Sequence, residues 1–120
     1  MYDHIGLRVK NLAKSLAFYK VTLGTLGHVE GSSGEGYAGL GPKEDESGLW
    51  LYASKEPIRG VHLCFSAPSR KAVEHFHQEG LKAGGKDNGK QGVRKDYSPN
   101  YYAAFLIDPD GNNVEAVCYK

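Results

Sequence analysis

The chain states one pattern twice. His4 opens an alternating apolar run, Asp3-His4-Ile5-Gly6-Leu7-Arg8-Val9, and His62 opens a second, Val61-His62-Leu63-Cys64-Phe65. The landmarks that follow keep a constant offset: Phe18 matches Phe76, Leu23 matches Leu81 and Gly27 matches Gly85. Two equivalent modules, each with a histidine at the same point, point to a site where the modules meet. Glu115 adds a carboxylate on the last strand-like segment. Two imidazoles and one carboxylate are the minimal donor set for a divalent metal with open coordination positions.

Periodicity gives each half the same order of elements. Tyr2 to Val9 alternates with Ile5, Leu7 and Val9 on one face and Tyr2, His4, Gly6 and Arg8 on the other, the period of a half-buried strand. Asn11 caps a helix whose apolar positions are Leu12, Leu16, Tyr19 and Leu23, and Gly24 and Gly27 end it. Strands are expected near 28–31 and 36–40, a charged loop over 41–47, and a stronger strand over 48–53. In the second half Ser69 caps a helix with Ala72, Val73, Phe76 and Leu81 on its apolar side, stopped by Gly84-Gly85. A polar, glycine-containing edge strand and loop (86–95), a strand (101–107), an Asp110-Gly111 turn and a closing strand (113–119) complete it. The expected fold is α+β: two βαβββ modules, with Ile5, Leu7, Val9, Leu49, Leu51, Leu63, Phe65, Val114, Ala116 and Cys118 facing the helices.

At 120 residues the chain is expected to be a single domain, 1–120, made of module one (1–54), a connector (55–60) and module two (61–120). So small a domain gains from a second copy, and a homodimer is expected. Fifteen basic and 14 acidic residues leave a formal net charge of +1, which gives no footprint for nucleic acid or an anionic membrane. No apolar run is long enough to span a bilayer and no secretory signal pattern opens the chain. The two cysteines, Cys64 and Cys118, fall on opposite strand faces, so free thiols and a cytoplasmic location are expected.

The strand faces turned away from the helices carry unusual chemistry. A solvated sheet face holds Lys, Glu, Thr and Ser; this one holds His4, Arg8, Trp50, Tyr52, His62, Cys64, Glu115 and one of Tyr101 or Tyr102. Aromatic side chains around a few convergent polar groups read as a small-molecule pocket. Trp50, Tyr52, Tyr101 and Tyr102 are therefore candidate substrate-binding residues, with Arg8 as an anion clamp. Tyr97-Ser98-Pro99-Asn100 is a candidate lid. Cys64 is expected to be a buried, inert thiol, and His75 and His77 surface residues. Asp108-Pro109-Asp110-Gly111 lacks the ligand spacing of a calcium loop and reads as a turn, and 31–36 lacks the residues of a phosphate loop.

Taken in order, Asp3–Val9, Ser15–Tyr19 with Leu23-Gly24, Val61-His62-Leu63 and Asp108–Glu115 resemble the vicinal oxygen chelate superfamily, which includes glyoxalase I, fosfomycin-resistance proteins, bleomycin-binding proteins and extradiol dioxygenases. The resemblance spans the whole chain and is specific to the superfamily, not to one activity. It implies paired βαβββ modules in a curved mixed sheet with one divalent metal (Zn, Ni, Mn, Fe or Co) in the cup. His4, His62 and Glu115 would be its ligands, and Glu115 would also act as general base. Trp50 stands where the glyoxalases of the family place a fourth ligand; indole has no lone pair to offer a metal, so the departure favours a three-ligand site. Arg8 matches an arginine that grips a substrate carboxylate in the glutathione-using branch. The function expected is that of a metal-dependent enzyme chelating neighbouring oxygens of a small molecule, by lyase, transferase or dioxygenase chemistry. The alternative is a non-catalytic protein of the bleomycin-resistance type that sequesters a drug-like ligand.

Overall fold

The computed structural model describes residues 1–120. Module one runs β1 (Ile5–Val9), α1 (Leu12–Gly24), β2 (Val29–Gly34), β3 (Tyr37–Gly41) and β4 (Leu49–Ala53). Module two repeats it as β5 (His62–Ser66), α2 (Arg70–Lys82), β6 (Lys86–Val93), β7 (Tyr102–Ile107) and β8 (Asn113–Cys118). Each module is a four-stranded mixed sheet, in the orders β1-β4-β3-β2 and β5-β8-β7-β6. The first strand pairs in parallel with the last, and the remaining pairs are antiparallel. No helix is long and apolar enough to cross a membrane.

Both helices begin as their caps dictate: Asn11 accepts from the Lys14 N–H and Ser69 from the Ala72 N–H. They end where Gly27 and Gly84 turn to φ of +94° and +102°, a region closed to most other residues. The helix-facing positions bury as the alternation requires, with Leu7, Val9, Leu49, Leu51, Leu63, Val114, Ala116 and Cys118 in one core with Phe18, Tyr19, Val73 and Phe76. Ile5 and Leu81 do not: they stay 41% and 42% exposed, Ile5 as the first residue of β1 and Leu81 because Gly80 takes the buried position in the last turn of α2. His77 also departs from expectation. It is buried on α2, where its Nε2 meets Asp87 Oδ1 at 2.8 Å.

The modules are fastened through their helical side. Tyr19 of α1 donates its hydroxyl to Asp108 Oδ2 of module two at 2.6 Å. Asp108 Oδ1 accepts the backbone N–H groups of Asp110 and Asn112, and Asn112 ties the turn to the connector through the Val61 N–H and the Ile58 carbonyl. Burial, then the adjacent Asp108, raises the Tyr19 hydroxyl well above its ordinary pKa, so it remains a donor. The Asp108–Asn112 stretch is thus a junction as well as the expected turn. Gly80 of α2 completes it, since its missing side chain admits Leu106 of β7 and Thr22 of α1. Joined along this side, the two sheets share no strand pairing, and β1 and β5 remain free edges.

Candidate functional site

Module two builds half of a site on the face opposite its helix. Glu115 stands directly across from Cys64 on β5 and from Phe105 on β7, so three neighbouring strands present His62, Cys64, Phe105 and Glu115 together. Although Glu115 is 1% exposed, its carboxylate is fully partnered. His62 Nε2 lies 2.8 Å from Oε1, and Tyr101 donates its hydroxyl to Oε2 at 2.5 Å. Burial, then the bond to Glu115, raises the Tyr101 hydroxyl, which stays protonated. Cys64 is exposed as a residue, against the expectation of burial, because its strand faces the open side. Desolvation, then the Glu115 charge, pushes its thiol up to about 12, which keeps it protonated.

Tyr101, and not Tyr102, belongs to this face. Tyr102 begins β7 with the opposite parity: its hydroxyl bonds Glu74 of α2 and Arg70 stacks on its ring. It is therefore corrected to the helical side, away from the site. A row of edge-to-face rings, Tyr97 on Tyr101 on Tyr119, flanks Glu115 at centroid spacings of 5.0 and 5.3 Å. Tyr97, in the segment read as a lid, forms the outer end of that row. Phe105, Tyr119 and Arg94 were missed from the sequence; Phe105 had the parity that could have marked it.

Module one builds a second, separate half. His4 and Trp50 line one shallow cavity of about 590 Å³ with Asp3, Pro42 and Asp45. His4 Nδ1 pairs with Asp3 Oδ1 at 2.6 Å, and Gly39 leaves room for the indole of Trp50 against β3. Tyr52 shares this face, its ring against the Gly6 backbone, and Arg8 is exposed without an ion pair. Within one chain, then, His62 and Glu115 converge but His4 does not join them. No group of three His, Cys, Asp or Glu side chains here could hold a metal. The alternation placed Trp50, Tyr52, His62 and Glu115 on the correct faces of their strands and left Tyr101 and Tyr102 undivided; it carried no information on how the two sheets face one another.

The half-site fits a metal as far as it goes. Two donors bound to one ion at about 2.0–2.2 Å sit about 3 Å apart when adjacent in its coordination shell, and His62 Nε2 and Glu115 Oε1 are 2.8 Å apart. Tyr101 on the outer oxygen fixes the carboxylate as supporting hydrogen bonds do around ligating groups.

Paired βαβββ modules with a histidine–glutamate pair on the open sheet face define a protein of the vicinal oxygen chelate fold. The chain belongs to the Glyoxalase/Bleomycin resistance protein/Dioxygenase superfamily, whose model matches residues 2–116. It is similar to a glyoxalase/bleomycin resistance protein from Albidiferax ferrireducens T118, at 28% identity, 98% coverage of both chains and a TM-score of 0.85. A glyoxalase/bleomycin resistance protein/dioxygenase family enzyme from Burkholderia phytofirmans PsJN (17% identity, 98% of both chains, TM-score 0.76) shares the fold. So does a lactoylglutathione lyase from Agrobacterium tumefaciens (18% identity, 98% of this chain and 92% of that one, TM-score 0.68). No curated protein matches the sequence.

Proposed function

We propose that the chain is a metal-dependent enzyme acting on a small molecule with neighbouring oxygens, and that its site is assembled from two copies. His62 and Glu115 of one copy would hold the ion together with His4 of the other. The observation that carries this reading is the 2.8 Å approach of His62 Nε2 to Glu115 Oε1 on an open sheet face, with His4 just before the first strand of a separate sheet. The free edges support it: β1 and β5 carry or adjoin the two histidines, and an unpaired edge is a template for another chain. A two-fold dimer would bring β1 of each copy beside β5 of the other and create two equivalent sites.

When bound, the metal supplies Lewis acidity to the paired oxygens of the substrate. The remaining roles fall to side chains. Tyr101 holds Glu115 Oε2 and orients the carboxylate, and Glu115 would take a proton from substrate when its Oε1 leaves the metal. Trp50 from one copy and Phe105 from the other would wall the cup and exclude water, and Arg8 would sit at its rim. Free thiols suit the cytoplasm. The row Tyr97–Tyr101–Tyr119 favours a second reading, a protein that sequesters an aromatic ligand without turnover.

Complementation separates these readings. His4→Ala and His62→Ala proteins, each purified without chelator, should hold no stoichiometric metal. Unfolded together and refolded as an equal mixture, half of the dimers become hybrids in which one site lost both histidines and the other none. Metal loading should then return to about a quarter of the wild-type value, with dimers by light scattering. No recovery from the mixture would refute the shared site, and metal-free wild type would favour the sequestering protein.

A further inference from the structure

We infer that Arg94 is an anion clamp of the module-two half-cup, so that the substrate carries an oxyanion group (a carboxylate, phosphonate or phosphate) beside the oxygens presented to the metal. The inference rests on the cup being the site. Arg94 follows β6, and its backbone N–H bonds the Tyr101 carbonyl at 2.7 Å, which closes the β6–β7 hairpin beside the residue that holds Glu115. Its guanidinium lies over the ring of Phe105, 5.4 Å from the centroid, and Phe105 in turn packs against His62 at 6.5 Å between ring centres. One aromatic ring thus separates the cation from the half-site.

The cradle is built into the backbone. A Cβ on Gly92 would lie 3.0 Å from Arg94 Nη1, and one on Gly89 would lie 3.3 Å from Nη2 and 3.1 Å from the Phe105 ring. Two register irregularities in β6 flank Gly89, whose φ is +145°. Glycine at both places leaves room for the guanidinium, which lies over Phe105 on one side. One bond, from Nη2 to the Lys90 carbonyl at 2.6 Å, fixes its orientation. No carboxylate of the chain pairs with it, so most of its five N–H donors remain for a ligand. A surface arginine kept only for solubility would not need two glycines and a ring to hold it. A planar, oriented fork with free donors is the geometry that grips two oxygens of one anion.

The test uses the wild-type protein, Arg94→Ala, Arg94→Lys and Gly92→Ala. Inorganic phosphate and acetate are titrated in turn and followed by the NMR signal of the arginine Nε–H groups and by calorimetry. At least one anion should bind wild type and shift one arginine signal that is missing in Arg94→Ala. Affinity should fall about tenfold or more in Arg94→Ala, and by several-fold in Arg94→Lys, which keeps the charge and loses the fork. Gly92→Ala keeps every charge but displaces the guanidinium, so it too should bind several-fold more weakly, with an unchanged far-ultraviolet spectrum. Which anion binds more tightly assigns the tetrahedral or the planar class. Equal affinity in wild type and Arg94→Ala, equal affinity in wild type and Gly92→Ala, or no binding of either anion to wild type would overturn the inference. Metal content measured on the same samples keeps the two readings apart. Loss of the metal reading leaves anion binding at Arg94 intact, and loss of anion binding leaves metal loading intact.

Discussion

Gly80→Ala tests the junction that divides the cup between two sheets. In an ordinary helix interior this change stabilises by about 1 kcal/mol, because alanine loses less backbone freedom than glycine. At Gly80 the added carbon would sit 2.3 Å from Leu106 Cδ1 and 2.9 Å from Thr22 Cγ2, closer than carbon atoms pack. Both neighbours are fully buried: Leu106 is held in the middle of β7 and Thr22 is tied to the Phe18 carbonyl at 2.9 Å. Neither can swing into solvent, so α2 must move away from α1 and from the sheet. An approach of 2.3 Å belongs to the upper part of the overpacking range, about 2–3 kcal/mol, so that after the propensity gain of about 1 kcal/mol the net loss is about 1–2 kcal/mol. Gly24 is the control, since it closes α1 with nothing near its absent side chain, and Gly24→Ala should be neutral or slightly stabilising. Thermal and urea unfolding of both variants should therefore move in opposite directions, by on the order of 4 °C per kcal/mol. If Gly80→Ala is as stable as Gly24→Ala, the helices do not meet as described, and the back-to-back arrangement of the modules fails with them.

Tyr19→Phe keeps the buried ring and removes only the hydroxyl given to Asp108; the expected loss is about 2 kcal/mol in urea unfolding, typical of a buried hydrogen bond to a charged group. Asp87 is held below its ordinary 3.8 by the Gly89 N–H first and by His77 second. A depressed carboxylate stabilises the fold above its unfolded pKa, and that contribution fades as pH falls through the folded value. Wild type should thus lose stability more steeply than Asp87→Asn below about pH 4, read from urea midpoints, and parallel curves would contradict the pairing. Tyr101→Phe should leave the fold intact and weaken metal loading about tenfold or more, as loss of a supporting hydrogen bond to a ligand does; unchanged loading would separate Tyr101 from the site.

The repeated βαβββ order, both helix caps, both helix stops and the faces of most strand residues were legible in the chain alone. Those features are local: alternation fixes the side of a strand, a cap needs only the next turn, and glycine supplies φ angles that other residues resist. Hence His4, His62 and Glu115 were correctly placed on sheet faces turned from the helices, and Cys118 in the core. Tyr101 and Tyr102 could not be told apart because parity at the frayed start of a strand depends on where pairing begins. Burial of His77 depended on Asp87, a partner from a neighbouring strand. Arg94 was invisible as a site residue because its role comes from lying across Gly89 and Gly92 onto Phe105. Above all, it took the packed molecule to reveal that the modules join through Tyr19, Gly80 and Asp108 on their helical side. Which surface of one module meets which surface of the other is settled by shape and buried polar bonds between segments far apart in the chain. Periodicity along the chain says nothing of that choice, and it is the choice that separates His4 from His62 and Glu115.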